Sequence, residues 1–475
     1  MSQIVLKPYQ IEANEQMTEI EEKTGMGGIL AHSMGLGKSL SMANFLLNKQ
    51  KYEGPKFPDL IVCPLSVLIQ WKKEILRLNS SERVLIYHGS DRSLVDYQYY
   101  SFVICTYHCL VSRELEIVKW NRVVLDEAHI IRNGSESNYR NIPKKVIGAY
   151  NLKKNSKIRW CITGTPFNNR IEDVRSLMKF IGYSMNHDVK EFVDLCVLQK
   201  EKEGIIDPYS VHMVGVDKPV DKSVLNKYDK TLDTYHFFMQ KLQVATPIEA
   251  PQVYIQAMNC LTQLRVFCDL MVPSVMKKVF SPCEENDEDG VEYYTKEVFS
   301  KADMLGFLDT SPKIQKVYEN ILEWIPKAPK KRILIFSSFV STLNILECIL
   351  NEKSKEIKTL KYIGSMNKEQ RENSITEFCN EDTDEPMVMF ISLGAGSCGI
   401  NLVPCATVFV VDISLNPFDI LQAVNRVHRL NQTSHVNVVK FFMKGMIESN
   451  ILESHNKKIK VANKVGLKAE LIEIN

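Results

Sequence analysis

Short runs of β-branched and aliphatic residues punctuate the first third of the chain: Leu60–Cys63, Val84–Tyr87, Phe102–Cys105, Val123–Leu125 and Arg159–Ile162. Each is bounded by turn-forming or polar residues. Continuous apolar runs of this length predict buried parallel strands. Between them, stretches such as Val67 to Leu76 place apolar residues at helical spacing, so the pattern is one of βαβ units. A second set follows late in the chain, at Ile333–Phe336, Met387–Ile391 and Val408–Val411. The expected fold class is therefore α/β, with two lobes built on parallel sheets, residues 1–183 and 301–475. Residues 184–300 have another texture. They are rich in Lys, Asp, Tyr and Met, Leu225 to Phe280 has helical spacing, and Glu284 to Asp289 forms an acidic run. This predicts a helical insertion with an acidic loop. No repeat of solenoid period is visible.

Composition narrows the class only a little. The 475 residues suggest about two or three domains, and 45% apolar with 24% charged content is ordinary for a globular protein. A net charge of +2 means that any nucleic-acid surface is a local basic stripe. No apolar run approaches the roughly 18 residues of a membrane span. The start, MSQIVLKPYQ, lacks the layout of a secretory leader, so no membrane partner and no secretion are expected. Twelve scattered cysteines without a C-x-x-C pair argue for free thiols in a reducing compartment and against zinc ribbons.

Candidate chemistry begins at GGILAHSMGLGKSL, residues 27–40. A loop that follows an apolar strand and opens a helix, with Gly35, Leu36 and Gly37 offering backbone N–H groups, can cradle phosphate oxygens. Lys38 would sit on the β- and γ-phosphates of ATP, and the Ser39 hydroxyl would ligate Mg²⁺. Some ninety residues on, Arg122 to His129 reads as a strand ending in two acids. Asp126 would hold Mg²⁺ through water, and Glu127 would orient the attacking water. Thr163-Gly164-Thr165-Pro166 ends another strand. It suits a sensor of the γ-phosphate and equally a plain turn. In the late set, Gln422 to Gln432 predicts a helix on which Arg426 and Arg429, three residues apart, share a face suited to a triphosphate.

With these motifs in place, the chain resembles the SWI/SNF-type DNA-translocating ATPases of helicase superfamily 2. Leu6 to Gln10 looks like the family's adenine-reading segment, with Gln10 in the adenine role. Ile61 to Leu68 with Gln70 to Glu74 is similar to its first DNA-tracking segment. Thr165-Pro166, Asn169, Glu172-Asp173, Ser176-Leu177 and Phe180 match the segment that closes the first lobe, and Leu264-Arg265 with Ser311 to Ile314 the re-entry into the second. Ser392 to Leu402, continuing through Asp412 and Asn416-Pro417 to the arginine segment, separates this family from strand-separating helicases. The resemblance implies two RecA-like lobes, ATP with Mg²⁺, and catalysis by Lys38 and Glu127 from one lobe with Arg426 and Arg429 from the other. It implies a monomeric motor on double-stranded DNA, acting on nucleosomes or on a transcription or repair complex through a targeting partner. Residence with DNA follows, in the nucleus or as a compact virus-encoded enzyme. His32-Ser33 stands where the family has Asp-Glu, and Ser39 where it has Thr. These changes are expected to tune turnover and not to abolish it. Leu415 replaces an aromatic and Ser397 a glycine, which bears on DNA coupling. A strand-separating helicase and a catalytically silent scaffold are the alternatives.

Overall fold

The computed structural model describes residues 5–464 apart from 54–56, 90–91, 95, 136–142, 165–170, 185, 220–221, 272–280, 283–292, 295–298, 381 and 397–401. Among the described residues the chain forms two compact units: residues up to Ile205 together with 457–464, and Ile206–Asn456.

The first unit is built on seven parallel strands: β1 (Ile29–Leu30), β2 (Asp59–Cys63), β3 (Val84–Tyr87), β4 (Phe102–Thr106), β5 (Trp120–Asp126), β6 (Ser156–Ile162) and β7 (Val197–Leu198). Their order is β3-β4-β2-β5-β6-β1-β7. Every residue of β2 and β4 is buried, which is why these strands read as unbroken apolar runs. Helices cover the sheet. In Leu65–Leu78 the buried residues Leu68, Trp71 and Ile75 recur at helical spacing. Helix Pro8–Thr24 is anchored by a buried, two-pronged ion pair. Arg122 Nε and Nη2 on β5 donate to the two oxygens of Glu21 (2.9 and 2.7 Å), and Trp160 Nε1 on β6 also donates to Glu21 (2.8 Å).

The second unit has six parallel strands. The first is β8 (Ser210–Val216). A two-residue ribbon follows, β9 (Ser281–Pro282) against β10 (Tyr293–Tyr294), outside the main sheet. The rest are β11 (Arg332–Ser337), β12 (Lys358–Tyr362), β13 (Met387–Ser392), β14 (Thr407–Val410) and β15 (Asn437–Met443). The sheet order is β12-β13-β11-β14-β15-β8. Both units are thus parallel α/β lobes of the RecA-like kind.

The expected boundaries at 183 and 300 differ from this division. Val189–Cys196 and β7 belong to the first unit, with β7 pairing along β1. Residues 206 onward belong to the second. Here β8 pairs along the full length of β15, and helix Ala250–Leu270 sends Val266 and Leu270 into the same core as Ile333, Phe390 and Phe441. The region is helical as expected over Lys222–Val244 and Ala250–Leu270, but it is part of the lobe and not a separate insertion. The acidic run Glu284 to Asp289 lies outside the described residues.

Buried charge ties the second unit together. Lys313 Nζ, in the first turn of helix Pro312–Trp324, donates to Asp269 (2.8 Å) and Glu448 (2.7 Å), and all three side chains are fully buried. Asp269 also accepts from Thr342 (2.9 Å), while Glu448 accepts from the backbone of Met443 (2.8 Å). Alongside, Arg265 pairs with Asp412 (3.0 Å), which accepts from the Ser337 hydroxyl (2.6 Å) and the Ser338 N–H (2.8 Å).

Candidate functional site

The loop between β1 and helix Lys38–Glu53 turns on two glycines with positive φ, Gly35 at 87° and Gly37 at 72°. A side chain at Gly37 would also come within 2.7 Å of Gln10 Nε2. The position therefore needs glycine on two counts. Helix Pro8–Thr24 lies over the loop: Tyr9 Oη (3.1 Å) and Gln10 Nε2 (3.3 Å) both donate to the Leu36 carbonyl. Lys38 Nζ donates to the carbonyls of His32 (2.8 Å) and Ser33 (3.3 Å). Backbone carbonyls of the loop thus hold the ammonium. Ser39 follows in the first turn of the helix, at the end where backbone N–H groups face outward.

The two acids stand at the carboxyl end of β5. Thr163 and Gly164 stand at the same end of β6, which lies between β5 and β1 in the sheet. The Thr163 N–H donates to the Leu30 carbonyl (3.2 Å). A Cβ on Gly164 would lie 3.4 Å from Lys38 Nζ. The sheet therefore brings Lys38, Thr163 and the acid pair to one edge. Thr165, Pro166 and Asn169 lie outside the described residues. Asp126 is buried and accepts from Trp71 Nε1 (2.7 Å) and from the Glu127 N–H (3.0 Å). Burial above all, and then the Glu127 carboxylate, raises its pKa to about 7; Trp71 and Lys38 pull the other way. Glu127 itself has φ of 51°, left-handed backbone rare outside glycine. Such strain persists where surrounding structure enforces it, commonly at functional sites. His129 Nδ1 lies 3.3 Å from the Glu127 carboxylate.

In the second unit the arginine segment departs from expectation. The helix is Pro417–Val424, and residues 425–430 form turns, so Arg426 and Arg429 do not share a helix face. The carbonyls that would extend the helix are taken by other groups. Leu402 N–H donates to the Arg426 carbonyl (3.1 Å), and Gln432 Nε2 to the Val427 carbonyl (3.3 Å). The two guanidiniums are nonetheless close enough to act on one another's charge. Burial, and then the charge of Arg426, lowers the Arg429 pKa to about 10. A guanidinium desolvated and repelled in this way gains from an anion brought to it. Ser397 to Asn401, part of the run that carries the resemblance, lie outside the described residues.

Comparison with known proteins decides the family. An SNF2-related domain matches residues 9–268, and a helicase conserved C-terminal domain matches 312–431. The chain belongs to the SNF2-related family. By that membership it is classed as an ATP hydrolase of helicase superfamily 2. It is 26% identical over 490 residues to the ISWI chromatin-remodeling complex ATPase ISW2 of Saccharomyces cerevisiae, a match spanning 96% of this chain and 40% of that protein. It is also 26% identical over 520 residues to the human SWI/SNF-related matrix-associated actin-dependent regulator of chromatin subfamily A containing DEAD/H box 1, over 96% of this chain and 49% of the relative. The chain thus spans under half the length of these relatives. Among solved structures, the Sulfolobus solfataricus SWI2/SNF2 ATPase core in complex with dsDNA is 24% identical with a TM-score of 0.41, covering 98% of this chain and 92% of that one.

Two features of this SNF2-related chain escaped the sequence reading. Trp71 belongs to a segment resembling the family's DNA-tracking element, yet its indole supports Asp126 from a helix 55 residues away. Tyr107 likewise donates its hydroxyl to the Asp126 carbonyl (2.7 Å). A tryptophan or tyrosine in an apolar pattern carries no mark of its polar partner. The donor set suits Mg²⁺. Asp126 and the Ser39 hydroxyl are hard oxygen donors, and few protein ligands suffice for an ion that keeps water and binds substrate oxygens. The raised pKa of Asp126 marks a carboxylate that gains from a cation.

Proposed function

We propose that this chain is an ATP-driven translocase on double-stranded DNA that remodels protein–DNA complexes, chromatin among them, in a nuclear or equivalent DNA-containing compartment. The observation that carries it is the convergence of the phosphate-loop lysine, Thr163 and the Asp126–Glu127 pair at one edge of the first sheet. ATP is the substrate. Gly35, Leu36 and Gly37 receive its phosphate oxygens on backbone N–H groups, and Gln10 reads the base. Lys38 leaves the His32 and Ser33 carbonyls for the β- and γ-phosphates. Ser39 and Asp126 hold magnesium, whose charge offsets that of the phosphates. Glu127 orients the attacking water. Arg426 and Arg429 of the second unit meet the charge that develops on the transferred phosphoryl group, a contribution of roughly 10³–10⁵ in rate for an arginine finger. Because both units contribute, hydrolysis reports their closure. The names of the relatives, one a chromatin-remodeling complex ATPase, support the choice of substrate complex.

The test is ATP turnover measured without nucleic acid and with single-stranded DNA, duplex DNA, RNA and nucleosomes in parallel. Duplex DNA is expected to stimulate most, and Lys38→Ala and Glu127→Gln each to lose turnover by at least about a hundredfold. Displacement of a triplex-forming strand without unwinding of a forked duplex supports translocation. Robust unwinding, or turnover indifferent to Lys38→Ala, overturns it.

A further inference from the structure

The arginine turn is irregular, a chain of short-range backbone bonds in place of a regular helix. Residues 425–430 lack a helical ladder, and the side chains at 426 and 429 repel one another. Between them stands His428, buried at 3% exposure although its neighbours carry the charge. Its Nε2–H donates to the backbone carbonyl of Asp207 (2.8 Å), and its ring meets that of Tyr209 edge-on at a centroid distance of 5.0 Å. Asp207 and Tyr209 are among the first residues past the division at Ile205. They lead straight into β8, which is fixed along β15 by a full ladder. Two side-chain bonds flank the start of that ladder, Ser210 Oγ with His435 Nε2 (2.7 Å) and His212 Nε2 with Asn437 Oδ1 (3.2 Å). The opening segment of the second unit is therefore clamped to the turn that carries both arginines, 221 residues later in the chain.

We propose that His428 is a positioning residue: gripped by Asp207 and Tyr209, it sets the arginine turn so that Arg426 and Arg429 present their guanidiniums in a productive geometry. The proposal rests on the reading of these arginines as hydrolytic residues. A contact of this kind acts on rate more than on substrate capture, since the arginines serve charge that appears only as the phosphoryl group transfers. The chain that leaves the first unit is also the chain that grips the arginine turn. A displacement of residues 207–209 would reach the arginines through the hydrogen bond and the ring contact to His428.

The experiment compares the full chain with His428→Ala, His428→Gln, Tyr209→Ala and the Tyr209→Ala/His428→Ala double variant, with Arg426→Ala and Arg429→Ala beside them. ATP turnover is read at saturating duplex DNA, with kcat and KM separated and thermal unfolding followed in parallel. The expected result is a fall in kcat of about tenfold to a hundredfold for His428→Ala and Tyr209→Ala, with KM for ATP within about twofold. His428→Gln, which keeps an N–H near the Nε2 position, recovers most of the rate. The double variant is no slower than the worse single one, because both side chains serve one grip. Wild-type kcat in His428→Ala overturns the proposal, as does a loss shared equally by His428→Gln and matched by lowered unfolding temperature. If Arg426→Ala and Arg429→Ala both turn over normally, it is the reading of the arginines that falls.

Discussion

His32 is buried, and its Nδ1 has no hydrogen-bond partner among the described residues. Burial first, and then the charges of Lys38 and Lys200, lowers its pKa to about 4. The folded chain thus keeps it neutral where an unfolded one takes a proton, at a pKa of about 6.5. The sign follows from linkage. Stability from this residue is full above pH 6.5, falls as pH drops toward 4, and then levels off. Replacing His32 by Asn is expected to remove up to about 3 kcal/mol of acid sensitivity at pH 4, read as a shallower loss of stability in urea titrations across that window. The pair His32-Ser33 illustrates what a sequence can convey at this scale. Its departure from the family pattern is plain from the letters. That the backbone carbonyls at 32 and 33 serve Lys38 is not, because carbonyls are common to every residue. The placement of Lys38 at a helix start and of Asp126 and Glu127 at a strand end was legible because spacing and strand context mark it. The left-handed backbone of Glu127 had no signal, since nothing but tertiary enforcement places a glutamate there.

Among elements, uniformly apolar strands announced themselves, the edge strand β3 (VLIY) included, and strands of mixed composition did not. β2, β4, β11 and β13 are buried on both faces, so their runs are continuous. β8 and β12 form the two edges of the second sheet and are mostly half-buried. Their residues, SVHMVGV and KTLKY, mix polar with apolar, as an edge exposed to water allows. β15 is interior, but Lys440 interrupts its run; burial lowers the pKa of that lysine to about 7. The helices of the second unit meet at Lys313, where three of them converge on one ammonium. Cutting Lys313 to Ala leaves Asp269 and Glu448 buried and facing each other without a counter-charge. Removing one partner of such a network costs about 3–5 kcal/mol, so the unfolding midpoint in denaturant is expected to fall with little change in slope. Lys313→Met, which refills the volume, should lose nearly as much, because the two carboxylates and not the cavity dominate. Recovery of wild-type stability by Lys313→Met would show that packing is what matters there.

At the scale of the whole molecule, the two sheets are assembled differently along the chain. The first is complete once Leu198 has been made. The second pairs its earliest strand, β8, with its last, β15, across residues 227 positions apart, Ser210 opposite Asn437 and Val216 opposite Met443. The paired lobes were legible from the repeated strand rhythm; this closure was not, because register between distant strands leaves no local trace. A ribosome adds residues in order, so the first sheet has all its strands while more than half of the chain remains to be synthesised. The second must keep β8 waiting until residue 443 has left the exit tunnel. Contacts of such long range form slowly and leave strand edges open to mispairing in the meantime. Nascent chains arrested at residue 430 are therefore expected to resist protease through the first sheet and to be cut between 206 and 220. Chains released at full length should be protected at both. The seam between β8 and β15 makes birth of the second lobe a single late event, and the stretch before it a natural client for chaperones.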